Sequence, residues 1–380
     1  MIKRVAIFFL LAVMIGVLFN CTKTSTSSKG TTFIAPSDTN FSYLGRIDYS
    51  NPASLHFVHT GVSIHFRFEG STCIVHLKNK SKEKDSEGNF YKNYYNVIVD
   101  NKKSQLFAVS NADETIRVKD LGKGIHDVII FKRTEALVGE GIFEGIDIEK
   151  DKTLLPIIDK RAVKIEFIGN SITCGYGNEG TSKDCSFSPE TENGYLAYGA
   201  LTARKLNADY LAVAYSGKGM YRNHDGKTDN SMSLIYDRIF PDSASSPRWN
   251  NKRFQPNVVV VNLGTNDFVS GIPDSVIFVN TYVNFLKRLR SYYPSATIFC
   301  IDGPMINDSY PAGVKVFTKV KNYILASKNK MKLIGDTKIY TFFATPMEEG
   351  DYACDSHPNL KRHEKMAEEL TKEIKRVMKW

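Results

Sequence analysis

The chain has 380 residues, of which 50 are lysine or arginine and 41 are acidic, so its formal net charge is +9. Hydrophobic residues make up 42% of the sequence, as in an ordinary soluble globular protein. The basic residues are spread along the chain, which argues against a nucleic-acid partner. The length exceeds what one hydrophobic core usually fills, and this predicts two domains.

The N-terminus has the charge order of an export signal. Lys3 and Arg4 precede an apolar run, Val5–Phe19, that is too short to span a membrane comfortably. The stretch ending at Cys21 is similar to a relaxed bacterial lipobox, whose cysteine carries a lipid. We therefore expect a signal peptide with a lipobox over residues 1–21 and a flexible tether over residues 22–31. This predicts an exported cell-envelope lipoprotein, periplasmic or at the cell surface, whose only membrane contact is the lipid anchor; an ordinary secreted protein is the alternative.

The first third of the chain alternates apolar and polar residues in short runs. The apolar positions include Val62, Ile64, Phe66, Phe68, Cys73, Val75, Leu77, Tyr95, Val97 and Val99. Short strands separated by turn residues, without a helical period, predict an antiparallel β-sandwich of the jelly-roll type over residues 32–155. The charged stretch Lys78–Asn89 predicts an exposed hairpin loop.

Several histidines and tyrosines of this domain are candidates for ligand binding. They are His56, His59, His65, His76, Tyr43, Tyr49 and Tyr91. The histidine spacings match no metal-ligand motif, so we predict histidines on strand surfaces and no metal site. The tyrosines can stack on a sugar, but packing on the sandwich core or at a domain interface is the interpretation that we favour.

From Arg161 onward, strands alternate with helices. Apolar strands are predicted at 163–168, 210–214, 258–261, 297–301 and 332–334, and helices near 195–206, 274–290, 314–327 and 360–379. This alternation predicts a parallel sheet with helices on both faces over residues 161–380, so an all-β domain is followed by an α/β domain. The ligand crevice of such a sheet lies beyond the carboxyl ends of its strands.

Residues suited to acyl transfer follow these strands. Ser171 comes after the first strand, the block Ala214–Gly219 after the second and the block Asn262–Asp267 after another, and the block Asp355–Pro358 lies near the C-terminus. A nucleophilic hydroxyl requires a general base and donors that face the oxyanion formed on attack at a carbonyl. The turn that holds Ser171 is not a Gly-x-Ser-x-Gly elbow, which disfavours the α/β-hydrolases.

The order of these four blocks resembles the SGNH hydrolase superfamily. The resemblance implies an α/β/α three-layer domain that needs no cofactor, with Ser171 as the nucleophile and His357 as its general base. It also implies an oxyanion hole formed by the amides of Ser171 and Gly217 and by the side chain of Asn266. Gly219 is the alternative to Gly217, which we favour because it is nearer to the strand.

Two longer motifs, Ser171–Gly180 and Glu192–Tyr195, look like carbohydrate esterase family two. The resemblance extends from about residue 42 to the C-terminus, and members of this family carry a β-sandwich before the esterase domain. It implies a serine esterase that removes O-acetyl groups from plant polysaccharides or oligosaccharides such as xylan and glucomannan. Without the resemblance, the candidate residues indicate only that the protein catalyses acyl transfer. Two alternatives therefore remain: a sugar-binding lipoprotein with a vestigial esterase domain, and an esterase of other acyl substrates.

Two acids lie close to these candidates in sequence. Asp355 is the expected orienting acid of His357, because the family includes members in which one residue separates the acid from the histidine. Other members use a backbone carbonyl instead. Asp267, beside Asn266, is interpreted as a structural acid of its loop.

The cysteines suggest a bridge near the predicted site. Cys174, Cys185 and Cys354 are all close in sequence to candidate residues, and in an exported protein a disulfide among them would brace the site. If Cys21 is lipidated, five cysteines remain, so at least one thiol stays unpaired.

Overall fold

The computed structural model describes residues 30–112, 114–158 and 161–380. The expected signal peptide, the lipidation at Cys21 and residues 22–29 of the expected tether lie outside the described residues. Thr31, the last residue of that tether, already belongs to a strand. Within the described ranges, no helix is both long enough and apolar enough to cross a membrane.

The N-terminal domain consists of two antiparallel sheets that share one core. Its strands are β1 (Thr31–Ile34), β2 (Ser42–Leu44), β3 (Leu55–Phe57), β4 (Ser63–Glu69), β5 (Cys73–Lys80), β6 (Asn93–Val99), β7 (Gln105–Val109), β8 (Glu114–Arg117), β9 (Ile125–Lys132), β10 (Glu140–Glu149) and β11 (Leu154–Leu155). One sheet has the order β1-β10-β5-β8, with β3 also paired to β10. The other has the order β11-β4-β9-β6-β7, with β2 also paired to β4. The predicted antiparallel sandwich is confirmed.

The period-two pattern places the core between the two sheets. Phe66 and Phe68 of β4 and Val75 and Leu77 of β5 are fully buried in one cluster, whereas their sequence neighbours are partly exposed. Successive side chains of a strand point to opposite faces, which produces this division. The predicted hairpin loop begins later than expected, because Lys78–Lys80 still belongs to β5.

Three of the four histidines are partly exposed and contact acids of a neighbouring strand. His65 Nε2 lies 2.9 Å from Asp127 Oδ1, and His76 Nε2 lies 2.9 Å from Asp147 Oδ2. His56 contacts Glu140 in the same way. His59 differs from the prediction of a surface position, because it is only 2% exposed.

Two of the tyrosines support the packing interpretation. Tyr43 and Tyr49 are partly buried against the sandwich core. The Tyr43 hydroxyl donates to the Pro36 carbonyl over 2.6 Å, and the Arg253 guanidinium of the second domain lies 4.3 Å above the Tyr49 ring. Tyr91 instead lies near the predicted site, with its ring 6.3 Å from that of Phe187.

The C-terminal domain is a five-stranded parallel sheet between two layers of helices. Its elements are β12 (Val163–Gly169), α1 (Ser171–Cys174), α2 (Tyr198–Lys205), β13 (Ala208–Ala214), α3 (Met232–Ile235), β14 (Val258–Asn262), α4 (Ser275–Tyr292), β15 (Thr297–Asp302), α5 (Val316–Leu333), β16 (Ile339–Phe343) and α6 (Leu360–Met378). The strand order is β13-β12-β14-β15-β16, and all pairings are parallel. One face of the sheet shares its core with α4 and α5, and the other with α2 and α6. The predicted three-layer α/β/α domain is confirmed.

The predicted strand at Lys332–Ile334 is wrong. These residues belong to the last turn and the C-cap of α5, where Leu333 is 86% exposed and Ile334 is 60% exposed. The short apolar run is not a buried strand, because its side chains lie at the outer end of an amphipathic helix. The fifth strand is β16, which contains the β-branched and aromatic residues typical of strands.

A buried ion pair joins the two domains. Arg46, which precedes β3, and Glu166 of β12 are both fully buried, with Nη2 and Oε1 3.3 Å apart. The Tyr236 hydroxyl donates to the same carboxylate oxygen over 2.9 Å, and the Arg46 guanidinium lies 4.3 Å above the Tyr236 ring. A charge withdrawn from water requires such partners, so the two domains are packed against each other as one structural unit.

Candidate active site

Ser171 lies at the point where strand β12 turns into the short helix α1. Asn170 caps this helix, and its side chain accepts a hydrogen bond from the Ile172 amide over 3.2 Å. Gly169 allows the turn, because a Cβ atom there would lie 2.0 Å from Thr173 Oγ1. The strand order changes direction between β12 and β14, which is where ligands bind in open α/β sheets. Ser171 therefore stands at the edge of the expected crevice.

His357 contacts Ser171 directly. Its Nε2 atom lies 2.8 Å from Ser171 Oγ, and its Nδ1 atom lies 3.0 Å from the backbone carbonyl oxygen of Asp355. A carbonyl oxygen can only accept, so Nδ1 carries the proton and Nε2 is left as an acceptor. This tautomer allows Nε2 to take the proton of Ser171.

The orienting contact of His357 comes from the backbone of Asp355, and not from its carboxylate as expected. Asp355 Oδ2 instead accepts hydrogen bonds from the Tyr176 hydroxyl over 2.8 Å and from the Phe187 amide over 3.0 Å. Asp355 has a φ of 50°, a left-handed conformation that turns its carbonyl, and not its side chain, toward the imidazole. The histidine is thus oriented by the backbone, and the carboxylate orders the surrounding loops.

Aromatic side chains enclose the histidine. The Tyr176 ring centroid lies 4.3 Å from that of His357 and 4.3 Å from that of Phe187. This crowding removes water from the imidazole and lowers the pKa of His357 from 6.5 to about 4, although the Asp355 carbonyl acts in the opposite direction. The base is therefore neutral at neutral pH and available to accept a proton.

The candidate oxyanion donors converge on the same edge of the sheet. Gly217 follows β13 and Asn266 follows β14. Among the described residues, nothing accepts a hydrogen bond from the amides of Ser171 and Gly217. Asn266 Nδ2 donates to the Lys218 carbonyl over 2.9 Å, which fixes the amide and leaves its second proton for a ligand. Gly217 has a φ of 77°, a conformation that favours glycine.

Gly219 and Asp267 stabilise the loop that carries Gly217. The Gly219 amide lies 3.4 Å from Asn223 Oδ1, so it is directed into the loop. The buried carboxylate of Asp267 accepts bonds from the amides of Met220, Tyr221 and Arg222 over 2.7–2.8 Å. This geometry agrees with the choice of Gly217 over Gly219 and with a structural role of Asp267.

A disulfide bonds the histidine loop to the loop of Phe187. Cys185 and Cys354 form it, and Cys354 directly precedes Asp355. Cys73, Cys174 and Cys300 are free and buried in the described part of the chain. The bridge proposed from sequence near the site therefore exists, and Cys174 is not part of it.

The two family motifs are hydrogen-bonded to each other. Asn178 Nδ2 donates to the Asn193 carbonyl over 3.0 Å, and Asn193 Nδ2 donates to Glu179 Oε1 over 2.8 Å. These bonds join the loop after α1 to the loop before α2. Tyr176 belongs to the same motif, but sequence reasoning gave it no role, and the contacts of Phe187 had no sequence signal.

One group of buried side chains in the described residues has the composition of a metal site. Glu135, Cys174 and Glu192 each place one ligand atom within 4.8 Å of the others. Lys132 is also fully buried, and burial lowers its pKa to about 7, although its attraction to Glu192 and Glu135 acts in the opposite direction. Its ammonium supplies positive charge to this cluster, so the side chains do not require a metal ion for charge balance.

This fold and this arrangement of serine, histidine, glycine and asparagine define a serine hydrolase of the GDSL type, and comparison with known proteins agrees. Residues 167–371 match the GDSL-like Lipase/Acylhydrolase family, and residues 43–157 match the Carbohydrate esterase 2 N-terminal domain. The chain is 38% identical to Cellulase/esterase CelE of Acetivibrio thermocellus over 89% of its length, but it spans only 39% of that protein. It is 28% identical to an Acetylxylan esterase / glucomannan deacetylase of Cellvibrio japonicus, over 95% of both chains.

A solved structure gives the same result. A family two carbohydrate esterase from Clostridium thermocellum, determined in complex with cellohexaose, is 36% identical and has a TM-score of 0.81. The match covers 90% of this chain and 99% of the other. The chain belongs to carbohydrate esterase family two, and it is a carboxylic ester hydrolase.

Proposed function

We propose that this protein removes O-acetyl groups from plant polysaccharides or oligosaccharides, such as xylan and glucomannan, through an acetyl-enzyme on Ser171. The observation that carries the proposal is the 2.8 Å contact between Ser171 Oγ and His357 Nε2 at the switch point of the sheet. A hydroxyl in this position is activated when the neighbouring imidazole accepts its proton.

In the proposed mechanism, His357 takes the proton of Ser171 as Oγ attacks the acetyl carbonyl. The amides of Ser171 and Gly217 and the side chain of Asn266 donate to the oxyanion, and each such donor typically contributes about 100- to 1000-fold in rate. The imidazolium of His357 then protonates the sugar oxygen as its bond to the acetyl carbon breaks. Water attacks the acetyl-enzyme and gives a proton to His357, and acetate leaves as Ser171 Oγ takes that proton back.

The acetyl specificity is supported by the named activities of similar proteins. The Cellvibrio japonicus relative is called an acetylxylan esterase and glucomannan deacetylase. Tyr91 and Phe187, whose ring centroids lie 6.3 Å apart, line a cleft next to the histidine loop and are suited to pack against sugar rings.

The test is acetate release from acetylated xylan and acetylated glucomannan by the soluble form that lacks residues 1–21. A series of p-nitrophenyl esters from acetate to long acyl chains measures the acyl preference. We expect acetate to be preferred and Ser171→Ala to abolish turnover without loss of the folded state. Preference for long chains would instead support the alternative of another acyl substrate.

A second candidate function is sugar binding without turnover. It is favoured by the solved family member that holds cellohexaose. Affinity electrophoresis in soluble xylan and glucomannan measures it, with Ser171→Ala as the control variant. Binding by folded protein that releases no acetate from any ester would favour this function over the first.

We also propose that the mature protein is exported and anchored to the cell envelope by a lipid on Cys21. The apolar run before this cysteine and the polar stretch after it support the proposal. Metabolic labelling with a fatty acid tests it. Label is expected in the wild type and not in Cys21→Ser, and an unlabelled wild type would indicate an ordinary secretory signal.

A further inference from the structure

The N-terminal domain reaches beneath the active site through the connection between β9 and β10. Residues 133–136 of this connection, which we call the bridging segment, are all buried. Its Arg133 carbonyl accepts a bond from the Gly194 amide over 3.0 Å, and Arg133 Nε donates to the Glu192 carbonyl over 3.3 Å. The segment is therefore packed inside the hydrolase domain, although it belongs to the sandwich.

Glu135 of the bridging segment contacts the residue before the oxyanion glycine. The Ser216 amide donates to Glu135 Oε2 over 2.7 Å, and the Ser216 hydroxyl bonds to Oε1 of the same carboxylate. Glu135 is completely buried. The carboxylate thus accepts from the peptide unit before Ser216 and from the Ser216 side chain, which fixes the residue that directly precedes Gly217.

The same carboxylate is linked to the nucleophile helix. The Cys174 thiol lies within 4.8 Å of the Glu135 carboxylate and is three residues after Ser171. Burial raises the pKa of Glu135, whereas the hydrogen bonds from Ser216 and, to a smaller extent, from Cys174 oppose this rise. Glu135 thus lies between the two turns that carry the nucleophile and the oxyanion amide.

Of the two acids in this cluster, Glu135 is the one that carries the negative charge. Burial and the neighbouring Glu135 carboxylate raise the pKa of Glu192 well above its usual range. Glu135 has the Ser216 donors, so the proton shared by the two acids resides on Glu192. The nearby Lys132 offsets the charge that remains. The buried Glu135 carboxylate therefore stays ionised and accepts the hydrogen bonds from the Ser216 amide and hydroxyl.

We propose that Glu135, a residue of the sandwich domain, is a positioning residue for the oxyanion hole of the hydrolase domain. The inference rests on the proposed function, in which the Gly217 amide stabilises the oxyanion. Glu135 does not touch the substrate; it acts by holding Ser216 and thereby the direction of the Gly217 N–H. A misplacement of about 1 Å in a catalytic group can cost about 100-fold in rate.

The test compares Glu135→Ala with Glu135→Gln in the full two-domain protein, with p-nitrophenyl acetate as substrate. Loss of the acceptor in Glu135→Ala is expected to lower kcat by about 10- to 100-fold while KM changes by less than about threefold. Inhibition by a boronic acid, which forms a tetrahedral adduct with the serine, should weaken by the same factor as kcat/KM. Glu135→Gln should recover most of the activity, because its amide oxygen can accept from the Ser216 amide.

Glu166→Ala is the matched control, because it removes another fully buried interdomain carboxylate that contacts neither catalytic turn. We expect it to lower the melting temperature and to leave the kcat of the folded protein within about threefold. If Glu135→Ala does not fold, the inference is tested with Ser216→Ala instead. This variant loses the hydroxyl bond to Glu135 but keeps the amide bond, and its kcat should fall by about 3- to 10-fold.

Wild-type kcat in folded Glu135→Ala, or in Ser216→Ala where that variant decides, would overturn the inference. An equal loss of kcat in Glu166→Ala would also overturn it, because the effect would then be general destabilisation. Ser171→Ala distinguishes failure of this inference from failure of the proposed function. If it is inactive while Glu135→Ala is fully active, only the inference fails; if it retains turnover, the proposed function fails.

Discussion

The imidazole of His357 is oriented by the peptide carbonyl of Asp355, which remains after any substitution of that side chain. Asparagine tolerates the left-handed conformation at this position and can still accept from Tyr176. We therefore predict that Asp355→Asn lowers kcat/KM by less than about 10-fold, whereas His357→Ala costs at least about 100-fold, the usual contribution of a general base. Steady-state kinetics on p-nitrophenyl acetate measure both.

A much larger loss of activity in Asp355→Asn would contradict this prediction. Removing the orienting acid of a complete triad costs about 10,000-fold in rate. A loss of that size in Asp355→Asn would show that the carboxylate moves onto His357 during catalysis, and the dyad arrangement would be wrong.

The low pKa of His357 predicts activity in acid. Enclosure by Tyr176 lowers this pKa below the usual 6.5, so the imidazole stays neutral, and able to act as a base, as the pH falls through 6. The acid limb of kcat/KM, which reports the free enzyme, should therefore have its midpoint below pH 6.5, toward about 4. Intrinsic fluorescence at each pH checks that the protein stays folded, and a midpoint at or above 6.5 would contradict this environment of the histidine.

At the scale of elements, three strands of the parallel sheet each end in a turn that supplies one group to the site. This placement was predictable, because Ser171, Gly217 and Asn266 each follow an apolar strand in the sequence. The histidine loop has no such anchor. It depends on the disulfide between Cys185 and Cys354, on the Asp355 carboxylate and on the stacked rings of Tyr176 and Phe187.

Removal of the disulfide should loosen this loop. A cross-link typically contributes about 2–4 kcal/mol by restricting the unfolded chain. We predict that the Cys185→Ser, Cys354→Ser double variant loses a comparable free energy of unfolding and also has a lower kcat. Urea denaturation and ester hydrolysis measure the two effects.

A reductant should lower the activity of the wild type and leave the activity of the double variant unchanged. A wild type that is equally active when fully reduced would show that the loop keeps its position without the disulfide.

At the scale of the whole molecule, the sandwich and the hydrolase domain share buried charges. Removal of one partner of a buried ion pair typically costs about 3–5 kcal/mol, because the other charge is left unpaired. We predict that Arg46→Ala, which strands Glu166 between the domains, lowers the free energy of unfolding by about this amount. Chemical denaturation measures it, and the Arg46→Met, Glu166→Gln double variant, which leaves no buried charge, should recover part of the loss. A stability change below about 1 kcal/mol in Arg46→Ala would show that water enters this interface.

The sequence was informative wherever a local pattern decides the structure. Alternation along β4 and β5 and the strand-helix alternation after Arg161 predicted both domains. The pattern at Lys332–Ile334 failed, because a short apolar run does not distinguish a helix end from a strand. Contacts between distant parts of the chain left no pattern at all. Glu135 bonds to Ser216 across 81 positions, and nothing near either residue indicates the other.

Detection of the acyl-enzyme would test nucleophilic catalysis by Ser171 directly. The soluble two-domain protein is mixed rapidly with p-nitrophenyl acetate and quenched in acid. It is then digested, and the masses of its peptides are measured by mass spectrometry. We predict a mass gain of one acetyl group on the peptide that contains Ser171, and none on the corresponding peptide of Ser171→Ala. Hydrolysis that continues in Ser171→Ala, or an acetyl group mapped to another residue in active wild-type protein, would contradict it.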